Sequence, residues 1–443
     1  MLDAKFVREN LDAVIENCRL RGIDPEKTGL LEFETVSAQR AKLLQSVEGQ
    51  RAARNELAKQ AATDESARAE SKRLKVELAE AESDLAEAEA RYQEILSWIP
   101  NMAAEDVPVG QSEADNVEVA AWSPERGEIT QQQIEQAGGA AELMPASSGQ
   151  KDHLEIGRAL GIIDNEQSAV VSGARFTYLR GAAVLIQNAV HQLLAEKLLA
   201  DGFVPVVPPL LVREGALFGS SHFPGDRDQV YAIAGENVEE QNQLYLVGSA
   251  EPSLFAYYQD KTLTEEDLPI RMYALTTCFR SEAGSWGKDV RGIKRVHQFD
   301  KLEMVTITTP DQARETLEYL RGINEWLLQT LQIPYRILDM CTADLGYFAA
   351  AKKYDVEAWL PSSGEFIELM SDSHTTDYQA RRLNMRLKMN DGAMLHPHTL
   401  NDTGAAMGRL LIAIIEHWQQ PDGSLKIPDA LRPFTFGQTE VRS

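Results

Sequence analysis

The sequence predicts an α+β protein, an antiparallel sheet flanked by helices and preceded by an N-terminal two-helix antiparallel coiled-coil arm. The arm is read from Leu74, Leu78, Ala81, Leu85, Ala88, Tyr92 and Ile95, whose alternating steps of four and three make a heptad seam. The sheet is read from residues 270–308. There two strands, roughly Arg271 to Arg280 and Lys294 to Ile307, flank a charged, Gly-rich loop. The first is rich in Thr, Tyr, Leu, Cys and Phe, and the second alternates with a period of two.

In chain order, residues 1–26 form a short helical lead-in. From about Leu31 the composition turns to Ala, Glu, Gln, Arg, Lys and Leu, with no proline until Pro100. Phe33, Val36, Leu43, Val47 and Leu57 fall on an a/d register that Arg40, Gln50 and Arg54 interrupt. A break at Ala62 to Ser66 precedes the cleaner second helix, which Trp98, Ile99 and Pro100 end. Pro100 to about Ala120 reads as a linker rich in Pro, Ala and acidic residues. Leu185, Ile186, Ala189, Val190, Leu193 and Leu194 recur at helical spacing, and Phe203 to Pro209 is extended, its prolines suited to a sheet edge or interface. Beyond the 270–308 hairpin, a helix at about 310–331 precedes strands around Tyr335–Leu338 and Val356–Leu360. From Ala405 to Ile415 every residue except Arg409 is nonpolar.

A chain of 443 residues leaves room for two or three domains, and 43% hydrophobic with 25% charged residues is ordinary for a globular protein. No apolar run approaches a membrane span, and MLDAKFVREN lacks an apolar h-region, so neither membrane insertion nor secretion is expected. Cys18, Cys278 and Cys341 match no disulfide or zinc pattern, which favours a reducing cytoplasm. The net charge of −24 argues against indiscriminate nucleic-acid binding, because a phosphate backbone would be repelled at long range. An RNA partner would need a localised basic patch, and the arm offers one. Between its positions 51 and 75, Arg51, Arg54, Lys59, Arg68, Lys72, Arg73 and Lys75 outnumber Glu56, Asp64, Glu65 and Glu70, whereas Glu77 to Glu94 is acidic apart from Arg91. The plainer reading of such a hairpin is a dimerisation or spacer element.

Side chains two or four apart on a strand share a face, so Arg280 should project with Glu282, and Arg295 with Phe299 and Glu303. Two arginines beside an aromatic ring suit a nucleotide, since guanidinium binds phosphate bidentately and purines stack on flat rings. A solvated hairpin with ion pairs is the alternative. Arg409, inside its apolar helix, must be paired either with a core carboxylate or with phosphate. No GxxxxGK[ST] loop and no Rossmann glycine fingerprint occurs, so a nucleotide would have to bind some other way.

Phe279–Arg280–Ser281–Glu282–Ala283–Gly284, followed by Arg295 and by His297–Gln298–Phe299–Asp300–Lys301–Leu302–Glu303, strongly resembles motif 2 of class II aminoacyl-tRNA synthetases, in particular the bacterial-type seryl-tRNA synthetases. Phe203 to Pro209 looks like motif 1, which builds a homodimer interface. Leu244 to Glu251 is similar to the Thr-Ala-Glu loop, with Ser249 keeping the hydroxyl of the usual Thr. His398 to Arg409, running into LLIAIIEHW, resembles motif 3. The resemblance covers essentially the whole chain. It implies a tRNA-binding domain at 1–103 with its arm at about 31–97, and a class II catalytic domain at 104–443 with motif 2 at about 270–308 and motif 3 at about 398–418.

The implied reaction is ATP-dependent activation of L-serine to seryl-adenylate, then transfer to the terminal adenosine of serine tRNA, by a cytoplasmic homodimer using Mg2+. Selenocysteine tRNA as a further acceptor is left open. By the same resemblance Arg280 bridges substrate carboxylate and α-phosphate, Glu282 holds the adenine side, Phe299 stacks on the base and Val296 joins them in the ATP site. Arg295 and Arg409 neutralise the outer phosphates, and Glu368 and Ser371 reach Mg2+ and phosphate. Glu303 accepts the serine hydroxyl, with Ser249, Glu251, Asn401 and Thr403 lining the same pocket. Such a site rejects alanine by leaving polar groups unpaired and threonine by crowding. The basic residues of the arm grip the long variable arm of the tRNA.

Several positions depart from the pattern. Asp372 stands where Cys is common, adding negative charge beside the ATP and metal positions. Ala343 replaces a Gly, Asp402 a Gly or Asn, and Ile367 a basic residue. Their clustering near the site keeps alternatives open: a diverged paralogue acting on a serine analogue or in antibiotic biosynthesis or resistance, or a non-catalytic tRNA-binding homologue. A ligase loading a carrier protein would lack the arm.

Overall fold

The computed structural model describes the chain outside residues 61–64, 146–148, 236–241, 284–291 and 347. The expected break at Ala62–Ser66 therefore lies largely outside the described residues, and the Gly284, Gly287, Lys288, Asp289 and Arg291 loop entirely so. Two compact units result, Met1–Met102 and Ala103–Ser443.

The lead-in is two helices, Ala4–Glu9 and Leu11–Leu20, the first capped by the Asp3 carboxylate, which accepts from the Lys5 and Phe6 amides. Helices α1 (Phe33–Gln60) and α2 (Glu65–Trp98) then form the arm. On α2 the heptad positions are the ones that leave solvent: Leu78, Ala88, Tyr92 and Ile95 are buried, and Leu74, Ala81 and Leu85 half-buried. On α1 the seam holds buried Phe33 and Val47, but also half-buried Arg40, Gln50 and Arg54. The polar interruptions thus lie within the seam. Arg40 is accommodated there because its guanidinium covers the Tyr92 ring at 4.7 Å and pairs with Glu89. Across the helices Arg51 meets Glu82 at 2.7 Å. Of the other basic residues, Lys59 pairs with Glu56 and Arg73 with Glu70, both at 2.6 Å along one helix, while Arg68, Lys72 and Lys75 are exposed.

In the second unit, nine strands make one sheet: β1 (Val117–Ser123), β2 (Gly127–Thr130), β3 (Val204–Pro205), β4 (Ile270–Phe279), β5 (Gln298–Thr308), β6 (Tyr335–Asp339), β7 (Lys352–Leu360), β8 (Glu365–His374) and β9 (His398–Ala406). Their order is β2-β1-β6-β7-β8-β9-β5-β4-β3, antiparallel throughout except for the β3–β4 edge. The expected linker ends early, because β1 begins at Val117. The second strand of the hairpin begins at Gln298, not Lys294, and β7 starts four residues before Val356.

Helices α3 (Ala182–Ala200), α5 (Ala313–Thr330) and α7 (Met407–Trp418) belong to the large core on one face, where Leu302, Met304, Val356, Met370 and Leu400 meet Leu317, Leu320, Leu327 and Ile412. On the other face α4 (Glu251–Ala256) and α6 (Tyr378–Arg382) cover Met272, Ala274, Val305 and Ile307. Two bulges break the alternation. Leu369 is an extra residue in β8 between the pairs Val356–Met370 and Glu357–Glu368, so Glu368 turns to the same face as Ser371. Gly404 is an extra residue in β9 between Leu302–Ala405 and Glu303–Thr403, and a Cβ there would sit 2.9 Å from the Leu302 side chain.

The arm yields the first prediction. Ile95→Ala, at a fully buried position, should lower the stability of the arm by about 3 kcal/mol, against about 1 kcal/mol for half-buried Leu85→Ala. Hydrogen exchange of the α1 and α2 amides in the full chain measures both.

Candidate active site

On the α4 and α6 face, between the strands that carry the bulges, lies a cavity of about 260 Å³. Its walls include Ser249, Glu251, Arg280, Glu282, Arg295, Val296, Phe299, Glu368, Ser371, Asn401, Thr403 and Arg409. Glu303, only 1% exposed, lies below the surface through its ion pair to the wall residue Lys301. Every sequence-predicted residue of the catalytic unit is thus brought to one place. Strand alternation accounts for only part of this. Phe299 and Glu303 do share a face of β5, but β4 ends at Phe279 and β5 starts at Gln298, so Arg280, Glu282 and Arg295 arrive from the loop ends instead. Glu282 takes a left-handed backbone (φ 52°), and its carboxylate meets Arg295 at 3.1 Å. The Arg280 guanidinium lies 5.5 Å over the Phe299 ring.

One end of the cavity is rich in buried acceptors. Lys301 Nζ meets Glu303 Oε2 at 2.5 Å and approaches Thr403 Oγ1 at 3.4 Å. Glu303 Oε1 and Asn401 Oδ1 are buried and accept no hydrogen bond among the described residues. Leaving such groups unsatisfied costs about 1–3 kcal/mol each, so this end is built for a ligand that brings donors. Glu251 is held by Gln379, whose Nε2 donates to it at 2.7 Å, and its own amide donates to Ser249 Oγ at 3.2 Å. Burial, and then the Glu303 charge, push the Glu251 carboxyl up to about 8. Burial pushes His222 down to about 3, helped by Arg280 and Lys301, so this imidazole is neutral.

The other end is cationic. Arg409 donates to the Glu368 carbonyl at 3.0 Å and to the Lys294 carbonyl at 3.3 Å, and meets the Glu368 carboxylate at 3.2 Å. Its carboxylate partner is therefore a cavity residue, not one from the core. Lys353, facing the same space from β7, pairs with Asp355 at 3.1 Å. Burial opposes ionisation of Glu368, yet Arg409, Lys353 and Arg280 together hold it below the usual carboxylate range. The Leu369 bulge sets the Glu368 carboxylate and the Ser371 hydroxyl on one face, with Asp355 opposite Ser371 in β7. Among the described residues no cluster of three His, Cys, Asp or Glu could hold a metal. One carboxylate and one hydroxyl fit a hard divalent ion that keeps most of its water.

Sequence reasoning missed Lys301, Lys353, His222 and Gln379. Lys301 was legible, lying between Phe299 and Glu303 on the same face of the strand. Lys353 was hidden by the late start assigned to its strand, and His222 sits in a loop that carries no signal. The departures need correction. Asp372 and Asp402 are fully buried on the α5 face and do not line the cavity, and Ile367 belongs to the large core. Asp372 and Asp402 thus lie behind the cavity wall, whereas Ser249, which stands where Thr is usual, is part of it. Ala343, in a short turn at Thr342–Asp344, is not part of the cavity wall either.

Comparison with known proteins fits this geometry. A profile described as the Seryl-tRNA synthetase N-terminal domain matches residues 1–103, and one described as the tRNA synthetase class II core domain (G, H, P, S and T) matches residues 232–418. A serine--tRNA ligase of Rubrobacter xylanophilus is 39% identical over 98% of this chain and 97% of its own. Among solved structures, seryl-tRNA synthetase of Pyrococcus horikoshii complexed with ATP superposes with a TM-score of 0.86 at 34% identity, covering 100% of this chain and 99% of that one. The cytoplasmic serine-tRNA ligase of Naegleria fowleri in complex with AMP gives 0.80 at 27% identity, with coverage of 100% and 99%.

Glu251 supplies a pH prediction. Its carboxyl in the fold, at about 8, stands above its ordinary 4.5, so the stability it lends is complete below pH 4.5 and is lost as pH rises through 8. Thermal melts between pH 5 and 9 should show the wild type losing stability that Glu251→Gln, neutral throughout, retains.

Proposed function

The chain belongs to the seryl-tRNA synthetase family of class II aminoacyl-tRNA synthetases, and from that premise we propose how its own residues serve the ligase reaction. It is a serine–tRNA ligase that uses ATP. The observation that carries the site assignment is a single cavity with unfilled buried acceptors at one end and arginines at the other. Serine brings the donors. Its hydroxyl donates to Glu303, and its ammonium enters between Glu251, Asn401 and Thr403. Alanine would leave the Glu303 acceptor empty, and threonine would add a methyl where Ser249 and Thr403 close in.

Adenylation needs little covalent help, because the serine carboxylate is already ionised and attacks the α-phosphate directly. Arg280 holds the carboxylate against the α-phosphate, and its guanidinium stabilises charge as the fifth bond forms. Phe299 stacks on adenine, with Glu282 and Val296 at its edge. Arg295 and Arg409 exchange their present partners, Glu282 and Glu368, for the outer phosphates. Glu368 and Ser371 would hold Mg2+, which supplies charge neutralisation for the departing pyrophosphate. In the second step a ribose hydroxyl of the terminal adenosine attacks the acyl carbon of the adenylate and loses its proton, and the acyl–phosphate bond breaks to release AMP. Lys301 holds the Glu303 carboxylate in place through both by its ion pair at 2.5 Å.

The exposed face of the arm receives the tRNA, with Arg68, Lys72 and Lys75 as outward cations and Arg51, Arg54, Lys59 and Arg73 beside them. A second copy of the chain packs at the β3 edge, where Val204 is 57% and Val207 99% exposed. A reducing cytoplasm suits the three free, buried cysteines. No helix among the described residues is long and apolar enough to cross a membrane.

Pyrophosphate exchange with each standard amino acid tests the reading. Exchange should occur with serine and fall by about two orders of magnitude in Arg280→Ala or Arg409→Ala. Silence with serine would reject the assignment. Replacing Arg68, Lys72 and Lys75 together by Glu should leave serine exchange intact while raising the KM for serine tRNA about tenfold or more, and steepest at low salt.

A further inference from the structure

Asp372 and Asp402, which the mechanism above does not use, are direct cross-strand partners. They close the three-pair ladder between β8 and β9 on the cavity side. Beyond them the strands part between Ser371 and Thr403. Both carboxyls are fully buried, as is Asn324 of α5 above them. The Asn324 amide nitrogen donates to Asp372 Oδ1 at 2.7 Å and to Asp402 Oδ1 at 2.8 Å, spending both its hydrogens.

The other oxygens, Asp372 Oδ2 and Asp402 Oδ2, receive no donor from elsewhere among the described residues. Paired across the strands and held by one amide, the two carboxyls lie side by side. Among the described residues the surrounding groups give no cation to spare. Arg321 is committed to Glu318 at 2.8 Å and Glu325 at 3.1 Å. Tyr354, opposite Asp372 in β7, donates to Glu318 at 2.9 Å, and Met304, opposite Asp402 in β5, offers nothing. Asp355 and Glu303 add only further negative charge nearby. Two ionised carboxylates in contact in such a place are untenable, whereas one proton between them satisfies both outer oxygens.

We propose that Asp372, Asp402 and Asn324 form one positioning unit, two carboxyls sharing a single proton under one amide, which fixes the spacing of β8 and β9 where the cavity opens. The unit touches no substrate. Its neighbours do: Ser371 and Ser373 flank Asp372, Asn401 and Thr403 flank Asp402, and all four line the cavity. The functional consequence rests on the cavity being the serine adenylation site.

A shared proton has a signature that simple packing lacks. In Asp372→Asn or in Asp402→Asn, an amide N–H replaces the shared proton, the single buried charge is kept, and every oxygen remains satisfied. In the double variant two amides turn donors toward each other. Serine KM in pyrophosphate exchange should therefore stay within about threefold in each single variant and rise about tenfold or more in the double, with kcat less affected. Melting temperatures should follow the same non-additive pattern. A double variant no worse than the product of the singles overturns the proposal. The melting cycle needs no activity, so it stays informative if serine exchange itself is absent. Should the double variant not fold, the infrared spectrum of Glu251→Gln decides, since that protein lacks the Glu251 carboxyl, which burial also holds protonated at neutral pH. A protonated-carboxyl band at pH 7 is expected, and its absence overturns the proposal.

Discussion

Which side of the sheet a residue faces is settled at this site by two single-residue insertions. Were Leu369 in regular alternation instead of a bulge, Glu368 would join Met370 and Asp372 against α5, and Ser371 would keep the cavity without that carboxylate. Were Gly404 in regular alternation instead of a bulge, Thr403 and Ala406 could not both face inward. Glycine suits the second place because a side chain there would collide with Leu302. The bulges cost ladder hydrogen bonds, which the long β5–β9 and β7–β8 pairings can spare. In return, residues three apart in sequence act from one surface.

The second constraint is charge. The cavity holds Arg280, Lys294, Arg295, Lys301, Lys353 and Arg409 against Glu251, Glu282 and Glu368 in its walls, with Glu303 and Asp355 close behind. Nearly all are paired: Lys301 with Glu303, Lys353 with Asp355, Arg295 with Glu282 and Arg409 with Glu368. Such pairing keeps a charged site foldable, because an isolated buried charge is far costlier than a pair. It also means that a polyanionic ligand enters by replacing partners, so its net gain is smaller than the Coulomb attraction of its phosphates suggests.

Much of this was legible in the sequence, for reasons that differ by element. The arm showed itself because its packing repeats every seven residues, and the burial of Leu78, Tyr92 and Ile95 follows the pattern. The hairpin showed its period but not its ends, since Lys294 to His297 carry strand-like residues in a loop. Arg280, Glu282 and Arg295 therefore gather in one cavity by a route that strand alternation does not describe. The facing of Asp372 was misread because a bulge leaves no mark in a sequence. That Asp372, Asp402 and Asn324 form a unit could not be read at all: their separations of 48 and 78 residues and the lone amide on α5 become meaningful only in three dimensions.

The seam of the arm has a mechanical consequence. Near its base it is filled by Phe33, Tyr92 and Ile95, large side chains in full contact, the two rings stacked at 5.5 Å. Toward the tip the large side chains Gln50, Arg54, Leu57 and Leu74 are only half-buried, and the buried residue there is the small Ala67. Bending resistance in a helical pair comes from interdigitated contact, which falls steeply once side chains part. The arm is thus a tapered spring, rigid at the root and compliant at the end. Its basic residues ride on the compliant part.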